Sequence, residues 1–320
     1  MEARKLKIVF FGTPEIAAIE LEHLTQSGFN VVGVITNIDK PQGRGKRLTS
    51  CEVKLKAEEL GLKILQPVSM KDENFINELK NLNADVFVVV AFRMMPKIVY
   101  SMPKLGTFNL HTSLLPQYRG AAPINWAIIN GEKTTGITTF LLNDQIDCGE
   151  ILLQQQIAIT DTMTAEELYN DMAQKGKKLI TDTLEILANG EYKTLKQDLK
   201  GPSKSAPKIF KQDTYINWEQ NTENIRNFVR GLAPYPSAKA KFYDTEAKKE
   251  YEFKIFEAKI HNKLIKKNIG NFWIEEKSHI FVQCADGILE LIDLQLNGKK
   301  RMNSSELIKG LRINGDLKKI

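Results

Sequence analysis

Six consecutive apolar residues, Val86-Phe87-Val88-Val89-Val90-Ala91, constrain this chain more than any other feature. A strand with one wet face alternates apolar and polar side chains, whereas a run of strand length that is apolar throughout needs cover on both faces. Such cover comes from the helical crossovers of a parallel sheet. The flanking pattern agrees. Lys7-Ile8-Val9-Phe10-Phe11 stops at Gly12-Thr13-Pro14, and helical periodicity follows over 15–26. Residues 31–36 are β-rich, a helix is expected over 51–59, and a short strand begins at 64–65. Ser69 with Asp72 reads as the cap of a helix through Leu79. Strands alternating with helices at this spacing predict an α/β fold, with an open, mostly parallel, Rossmann-like sheet and helices on both faces. Sheets of this kind bind ligands beyond the carboxyl ends of their strands.

Strands are expected again over 135–142 and 151–157. Thr164 and Glu167 form a capping box that opens a helix reaching about Leu187, closed by Asn189-Gly190. The polar stretch that follows contains Gly201-Pro202-Ser203 and reads as a linker. Beyond it come a short helix over 222–230, the turn-rich Pro234-Tyr235-Pro236, and β-like runs at 251–260, 271–274, 280–284 and 289–294. Short strands separated by turns predict a small C-terminal β-barrel, OB-like in type. The expected organisation is a catalytic domain over 1–192, a linker over 193–207 and a barrel over 208–320.

Charge divides the chain the same way. Residues 1–200 hold 23 basic and 24 acidic side chains, and residues 201–320 hold 22 and 15. The overall charge of +6 therefore resides in the last third, where a polyanionic partner is expected. No apolar stretch approaches the ~18–20 residues of a membrane span, and no secretory signal is legible. Cys51, Cys148 and Cys284 are isolated, as in a reducing compartment, and lack zinc-site spacing. A cytoplasmic protein without a metal is expected. The spaced glycines of a dinucleotide fingerprint and the Walker lysine are missing, which argues against a nicotinamide dehydrogenase or an NTPase.

The segment richest in chemistry is Gly106-Thr107-Phe108-Asn109-Leu110-His111-Thr112-Ser113-Leu114-Leu115-Pro116. On a strand, Asn109 and His111 face the same way with Cα atoms roughly 7 Å apart. An amide and an imidazole so placed can converge on one oxygen and form a side-chain oxyanion hole. Asn-x-His alone is more often a structural pair. Asp147, 36 positions beyond His111, lies in a loop between strands where a carboxylate can orient a histidine or accept a proton. By itself it reads as an ordinary Asp-x-Gly turn.

Together these residues carry a resemblance. His111-Thr112-Ser113-Leu114-Leu115-Pro116, Arg119-Gly120 and Asp147-Cys148-Gly149 resemble the signature of the folate-dependent formyltransferases. Phe11-Gly12-Thr13-Pro14-Glu15, the stretch Lys40-Pro41-Gln42-Gly43-Arg44-Gly45-Lys46-Arg47-Leu48, Ala121-Ala122-Pro123-Ile124, Ala206-Pro207-Lys208-Ile209 and Gly298-Lys299-Lys300-Arg301-Met302 extend it over nearly the whole chain. The likeness is to the family within that group that formylates methionyl-tRNA.

The resemblance implies transfer of a formyl group from 10-formyltetrahydrofolate to the α-amine of initiator methionyl-tRNA, with no metal. It implies catalytic roles for Asn109, His111 and Asp147, and a folate-binding loop of Ser113, Leu114, Leu115 and Pro116. It also implies a tRNA-gripping loop led by Arg44 with Lys46 and Arg47. Lys208, Lys299, Lys300 and Arg301, with Lys211, Arg226 and Arg230, become candidates for phosphate contacts, and a monomer is expected. Three departures stand out. Ala91-Phe92-Arg93-Met94-Met95-Pro96 replaces a longer glycine-containing segment near the pterin pocket. Cys148 stands where threonine is usual, and Asn217 stands where aspartate is common. An amino-sugar formyltransferase would share Asn109, His111 and Asp147 but lack the basic loop and the basic C-terminal third. A glycinamide ribonucleotide formyltransferase would end near 200 residues. An RNA-binding protein on a decayed enzyme fold would not be expected to keep all three polar residues.

Overall fold

The computed structural model describes residues 2–42, 47–190, 192–262, 266–310 and 317–319. They form two compact units. One comprises Met1–Ala121, Thr134–Ala158 and Tyr169–Ala206, and the other Ala122–Lys133, Ile159–Leu168 and Pro207–Ile320. The second unit thus takes in two segments from within the stretch read above as one N-terminal domain.

In chain order the first part comprises β1 (Lys7–Gly12), α1 (Glu15–Gln26), β2 (Asn30–Ile35), β3 (Lys40–Gln42), β4 (Arg47–Thr49), α2 (Glu52–Glu59) and β5 (Ile64–Leu65). There follow α3 (Glu73–Asn81), β6 (Val86–Val90), α4 (Lys97–Tyr100), β7 (Thr107–His111) and β8 (Arg119–Gly120). After α5 (Pro123–Ile129) come β9 (Thr134–Leu141), β10 (Ile151–Ala158), α6 (Ala165–Asn189) and β11 (Ser205–Ala206). Seven strands form one sheet in the order β10-β9-β7-β6-β1-β2-β5. Neighbours from β5 to β7 pair in parallel, while β9 runs antiparallel to both β7 and β10.

Every residue of β6 is buried, as its apolar run requires. One face of the sheet, carrying Val9, Phe11, Phe87 and Val89, packs with Phe75, Ile76 and Leu79 of α3 and with Met95 and Val99. The N-cap of α3 is Asp72, whose carboxylate accepts from the Phe75 N–H at 2.9 Å. Ser69 belongs to the preceding turn, where its carbonyl accepts from Asp72 N, so the cap lies three residues later than a box begun at Ser69 would put it. At α6 the expected box is present: Thr164 N donates to Glu167 Oε2 at 2.7 Å, and Glu167 N donates to Thr164 Oγ1 at 3.3 Å. Gly190, with φ +73°, ends the helix in the left-handed region open to glycine.

The second unit adds α7 (Thr222–Leu232), β12 (Ala238–Asp244), β13 (Lys249–His261), β14 (Phe272–Glu275), β15 (His279–Gln283), β16 (Ile288–Leu296), β17 (Met302–Asn303), α8 (Ser304–Lys309) and β18 (Lys318–Lys319). Its antiparallel order is β14-β15-β16-β13-β12-β18, with β17 beside β16. Phe272 and Leu317 exchange backbone hydrogen bonds of 2.9 and 2.8 Å, so the chain entering β18 returns to β14 and brings the sheet round into a barrel. Phe242, Phe253 and Phe272 pack ring to ring inside it. Strand β12 was not legible as one. Ala238-Lys239-Ala240-Lys241 has weak intrinsic β preference, and only the barrel buries its alanines and turns its lysines outward.

Among the described residues no helix is long and apolar enough to cross a membrane.

Candidate active site

Strand β7 places the amide and the imidazole. Asn109 registers with Val89 on one side and Phe140 on the other, and His111 pairs with Thr138. Because Asn109 is level with Val89, both polar side chains emerge on the face shared with Val9 and Phe11, while Leu110 points to the opposite face. Asn109 is half-buried and His111 is 6% exposed.

The imidazole is held by main chain. His111 Nε2 lies 3.0 Å from the Tyr118 carbonyl oxygen. A carbonyl only accepts, so Nε2 carries a hydrogen and donates it to Tyr118 O. The ring also meets Phe140 edge-on at 6.4 Å.

Asp147 enters from elsewhere. Because β9 is antiparallel, the chain leaves it beside the amino end of β7, where Leu142 N donates to Thr107 O at 2.8 Å. Asp147 is half-buried with φ +53°, a conformation that costs an L-residue on the order of 1–2 kcal/mol. Its Oδ2 accepts from Gly120 N at 3.0 Å. Among the described residues no hydrogen bond joins Asp147 to His111. They are linked instead through residues 118–120, whose Tyr118 oxygen holds one and whose Gly120 nitrogen holds the other. The ring is therefore oriented by the Tyr118 carbonyl and not by a hydrogen bond from Asp147.

The segment Ser113 to Pro116 is largely occupied with its own support. Ser113 is fully buried and its hydroxyl donates to the Gln117 carbonyl at 2.6 Å. Thr138 Oγ1 donates to Ser113 O and accepts from Leu115 N, while Gln154 Nε2 donates to Leu115 O. Leu114 lies over Gly136, where a Cβ would come within 2.5 Å of its Cδ2. The Leu115-Pro116 peptide is cis.

The basic candidates separate sharply. Arg44 and Lys46 lie outside the described residues, and of Arg47 only its place in β4 is described. Lys208, Lys299 and Lys300 are exposed, with Lys208 Nζ 5.4 Å from the centre of the Phe210 ring. Arg301 is engaged by Asp293 at 2.7 Å and lies 4.2 Å above the Phe256 ring. Arg226 is paired with Glu223. Arg230 is 6% exposed and donates to Asn227, Thr160 O and Met163 O, so it serves the interior and is withdrawn as a phosphate contact.

Sequence reading also missed two lysines that lie near Lys211. Lys239 of β12 stands directly opposite Lys254 of β13, an arrangement that like charges disfavour. Burial, then Lys211, then Lys254 hold the Lys239 ammonium below its ordinary value, while Glu252 acts the other way. The nearby carboxylates are engaged, Glu250 by Lys241 and Glu252 by the Tyr215 hydroxyl. Among the described residues Lys211, Lys239 and Lys254 form no ion pair. The signal was the outward alternation of β12, visible only once that strand is recognised.

Comparison with known proteins decides the family. The model described as "Formyl transferase" matches residues 6–184, and that described as "Formyl transferase, C-terminal domain" matches 208–312. A relative from Parabacteroides distasonis named methionyl-tRNA formyltransferase is 45% identical over 317 residues, covering 98% of each chain. The chain belongs to the methionyl-tRNA formyltransferase family. A second member of the family, from Flavobacterium johnsoniae, is 44% identical over 98% of this chain and 99% of its own. Among solved structures, a sugar 3N-formyl transferase crystallised in the presence of dTDP and 5-N-formyl-THF has a TM-score of 0.61 at 22% identity, over 92% of this chain and 99% of that one. HypX from Aquifex aeolicus with tetrahydrofolic acid has a TM-score of 0.63 at 16% identity, and the match spans 95% of this chain and 47% of that longer one. The two structures establish that this family member shares their fold.

Proposed function

We propose that this chain transfers the formyl group of 10-formyltetrahydrofolate to the α-amine of initiator methionyl-tRNA for translation initiation, as a cytoplasmic monomer. The observation that carries the reading is the end-to-end match, through both units, to relatives named methionyl-tRNA formyltransferase. Catalysis belongs to residues 1–192 and RNA binding largely to 208–320, joined by 193–207.

Folate supplies an activated formyl carbon. Its flat ring fits the apolar surface beyond β5 and β6. There Arg93 donates to Pro67 O and Val68 O and stitches two loops together. Phe92 packs on Phe11, while Val68 and Met94 stand 78% and 76% exposed. Ser113, Leu114, Leu115 and Pro116 support the site as a shaped loop, with the Ser113 hydroxyl already committed to Gln117.

The amine of an aminoacyl ester is a weaker base than a free α-amino group of pKa ~7.7–8.0, so it is easily deprotonated. The harder task is to stabilise negative charge developing on the formyl oxygen. Asn109 donates to that oxygen from its amide, worth about 2.7–4 kcal/mol in such sites. His111 presents Nδ1, with Nε2–H fixed on Tyr118 O. Asp147 keeps one oxygen on Gly120 N and uses the other to receive the amine proton. As the tetrahedral adduct collapses, the bond between the formyl carbon and folate N10 breaks, that proton passes on to N10, and tetrahydrofolate leaves.

The tRNA is gripped by Arg44, Lys46 and Arg47 near its acceptor end. Lys208, Lys211, Lys239, Lys254, Lys299 and Lys300 meet phosphates, and Arg301 contributes less because Asp293 neutralises it. The test is incubation with 10-formyltetrahydrofolate and, in separate tubes, charged initiator tRNA, free methionine or an amino sugar nucleotide. Formylation confined to the charged tRNA is the expected result. Formylation of either small amine instead would overturn the assignment.

A further inference from the structure

The stretch that composition marks as a linker is strapped onto the candidate active site. Its strand β11 pairs with β8, Ser205 beside Arg119 and Ala206 beside Gly120. Tyr118 N donates to Lys204 O at 2.6 Å, and the Gln117 amide pairs with Pro202 O and Lys204 N. A Cβ on Gly120 would come within 2.4 Å of the Ala206 oxygen, which is how closely the strap lies against the backbone that holds Asp147.

At the head of this strap is Gln197. Its Nε2 donates to the carbonyl of Asp147 at 2.9 Å and to that of Gly149 at 2.8 Å. Its Oε1 accepts from Arg119 Nε and Nη2 at 3.1 and 3.0 Å. The amide orientation follows from its partners, because guanidinium groups only donate and carbonyls only accept. One side chain therefore clamps both ends of the Asp147-Cys148-Gly149 turn and ties it to Arg119, next to the residue whose N–H binds the Asp147 carboxylate. The turn needs holding: Asp147 sits at φ +53°, and Gly149 packs so tightly that a Cβ would come within 1.6 Å of Leu141 O.

We propose that Gln197 is a positioning residue for formyl transfer, fixing the Asp147 carboxylate relative to His111 through the turn it clamps and the Arg119-Gly120 backbone. This rests on the function proposed above. Misplacement of a reacting group by about 1 Å costs about 10²-fold in rate. Gln197→Ala and Gln197→Glu are the variants. The second keeps size and the Arg119 pairing but sets a carboxylate oxygen against the two carbonyls, so it removes the clamp without opening a gap, and its melting temperature reads whether the fold is kept.

Steady-state formylation of charged initiator tRNA is measured first for the unaltered enzyme, whose failure would count against the proposed function and not against the clamp. With an active enzyme, both variants are expected to lose roughly 10–100-fold in kcat, with KM for folate and tRNA within about twofold. Hydrogen exchange over 144–150 is expected to rise while the melting temperature holds. The proposal is overturned if Gln197→Glu keeps kcat within twofold, if the loss appears in KM alone, or if exchange over the turn is unchanged.

Discussion

Replacing Glu20 with glutamine should stabilise the protein in alkaline solution and hardly at all in acid. Glu20 lies on α1 with no exposure, and among the described residues neither carboxyl oxygen has a hydrogen-bond partner. It faces Gly176 of α6, where a Cβ would come within 2.4 Å of Oε1, and Leu110 of β7, the residue between Asn109 and His111. Burial pushes its carboxyl from 4.5 up to about 8, with Lys177 pulling weakly the other way. The unfolded chain releases this proton near pH 4.5 and the folded chain near pH 8, so between them the folded state binds more protons. Stability then falls as pH rises, by about 1.4 kcal/mol per unit and about 5 kcal/mol across the interval. Below pH 4.5 the penalty is absent, and above pH 8 it is complete. Glutamine keeps the shape and the buried polarity but cannot ionise. The two proteins should therefore melt within a few degrees of each other at pH 5. At pH 9 the variant should melt roughly 10–20 °C higher, at 2–4 °C per kcal/mol for a unit of this size. Thermal unfolding followed by circular dichroism across pH 5–9 reads this directly. A stability difference that does not change with pH would refute the reasoning. Because Leu110 points away from the face of Asn109 and His111, formylation at pH 7 should remain within about twofold of the unaltered rate.

Asn109→Ala should lower kcat by about 10²–10³-fold with little change in KM, the loss expected for one oxyanion donor, as read by steady-state formylation. Lys239→Glu combined with Lys254→Glu should weaken tRNA binding and flatten its dependence on salt, since fewer counterions are released; an unchanged slope would remove these lysines from the interface. Arg230→Ala should cost about 3 kcal/mol or more of stability by leaving buried acceptors unpaired, yet leave the salt slope as it was, which denaturant unfolding and filter binding together would check.

Local patterns were readable wherever the local physics is strong. The all-apolar run of β6, the Thr164 and Glu167 box and the Asn109-x-His111 spacing each say in one dimension what they do in three. The cap of α3 shifted from Ser69 to Asp72 because a turn and a helix start compete for the same few residues. Strand β12 escaped notice because alanine and lysine become a strand only when neighbouring strands bury one and solvate the other. Arg230 and Arg301 looked alike in a count of positive charge, yet one is interior and the other is held by Asp293.

The order of residues by itself determined that this chain would build a parallel α/β sheet, that a basic β-rich portion would follow, and that an amide and an imidazole would share one strand face, because burial and strand alternation follow from side-chain chemistry along the chain. Only the tertiary structure decided that Tyr118 and Gly120 would stand between His111 and Asp147, that Glu20 would be fully enclosed, and that the polar stretch around Gln197 would fold against the Asp147 turn. Those outcomes rest on hydrogen bonds between residues far apart in the chain, and no local spacing specifies which distant carbonyl an amide will meet.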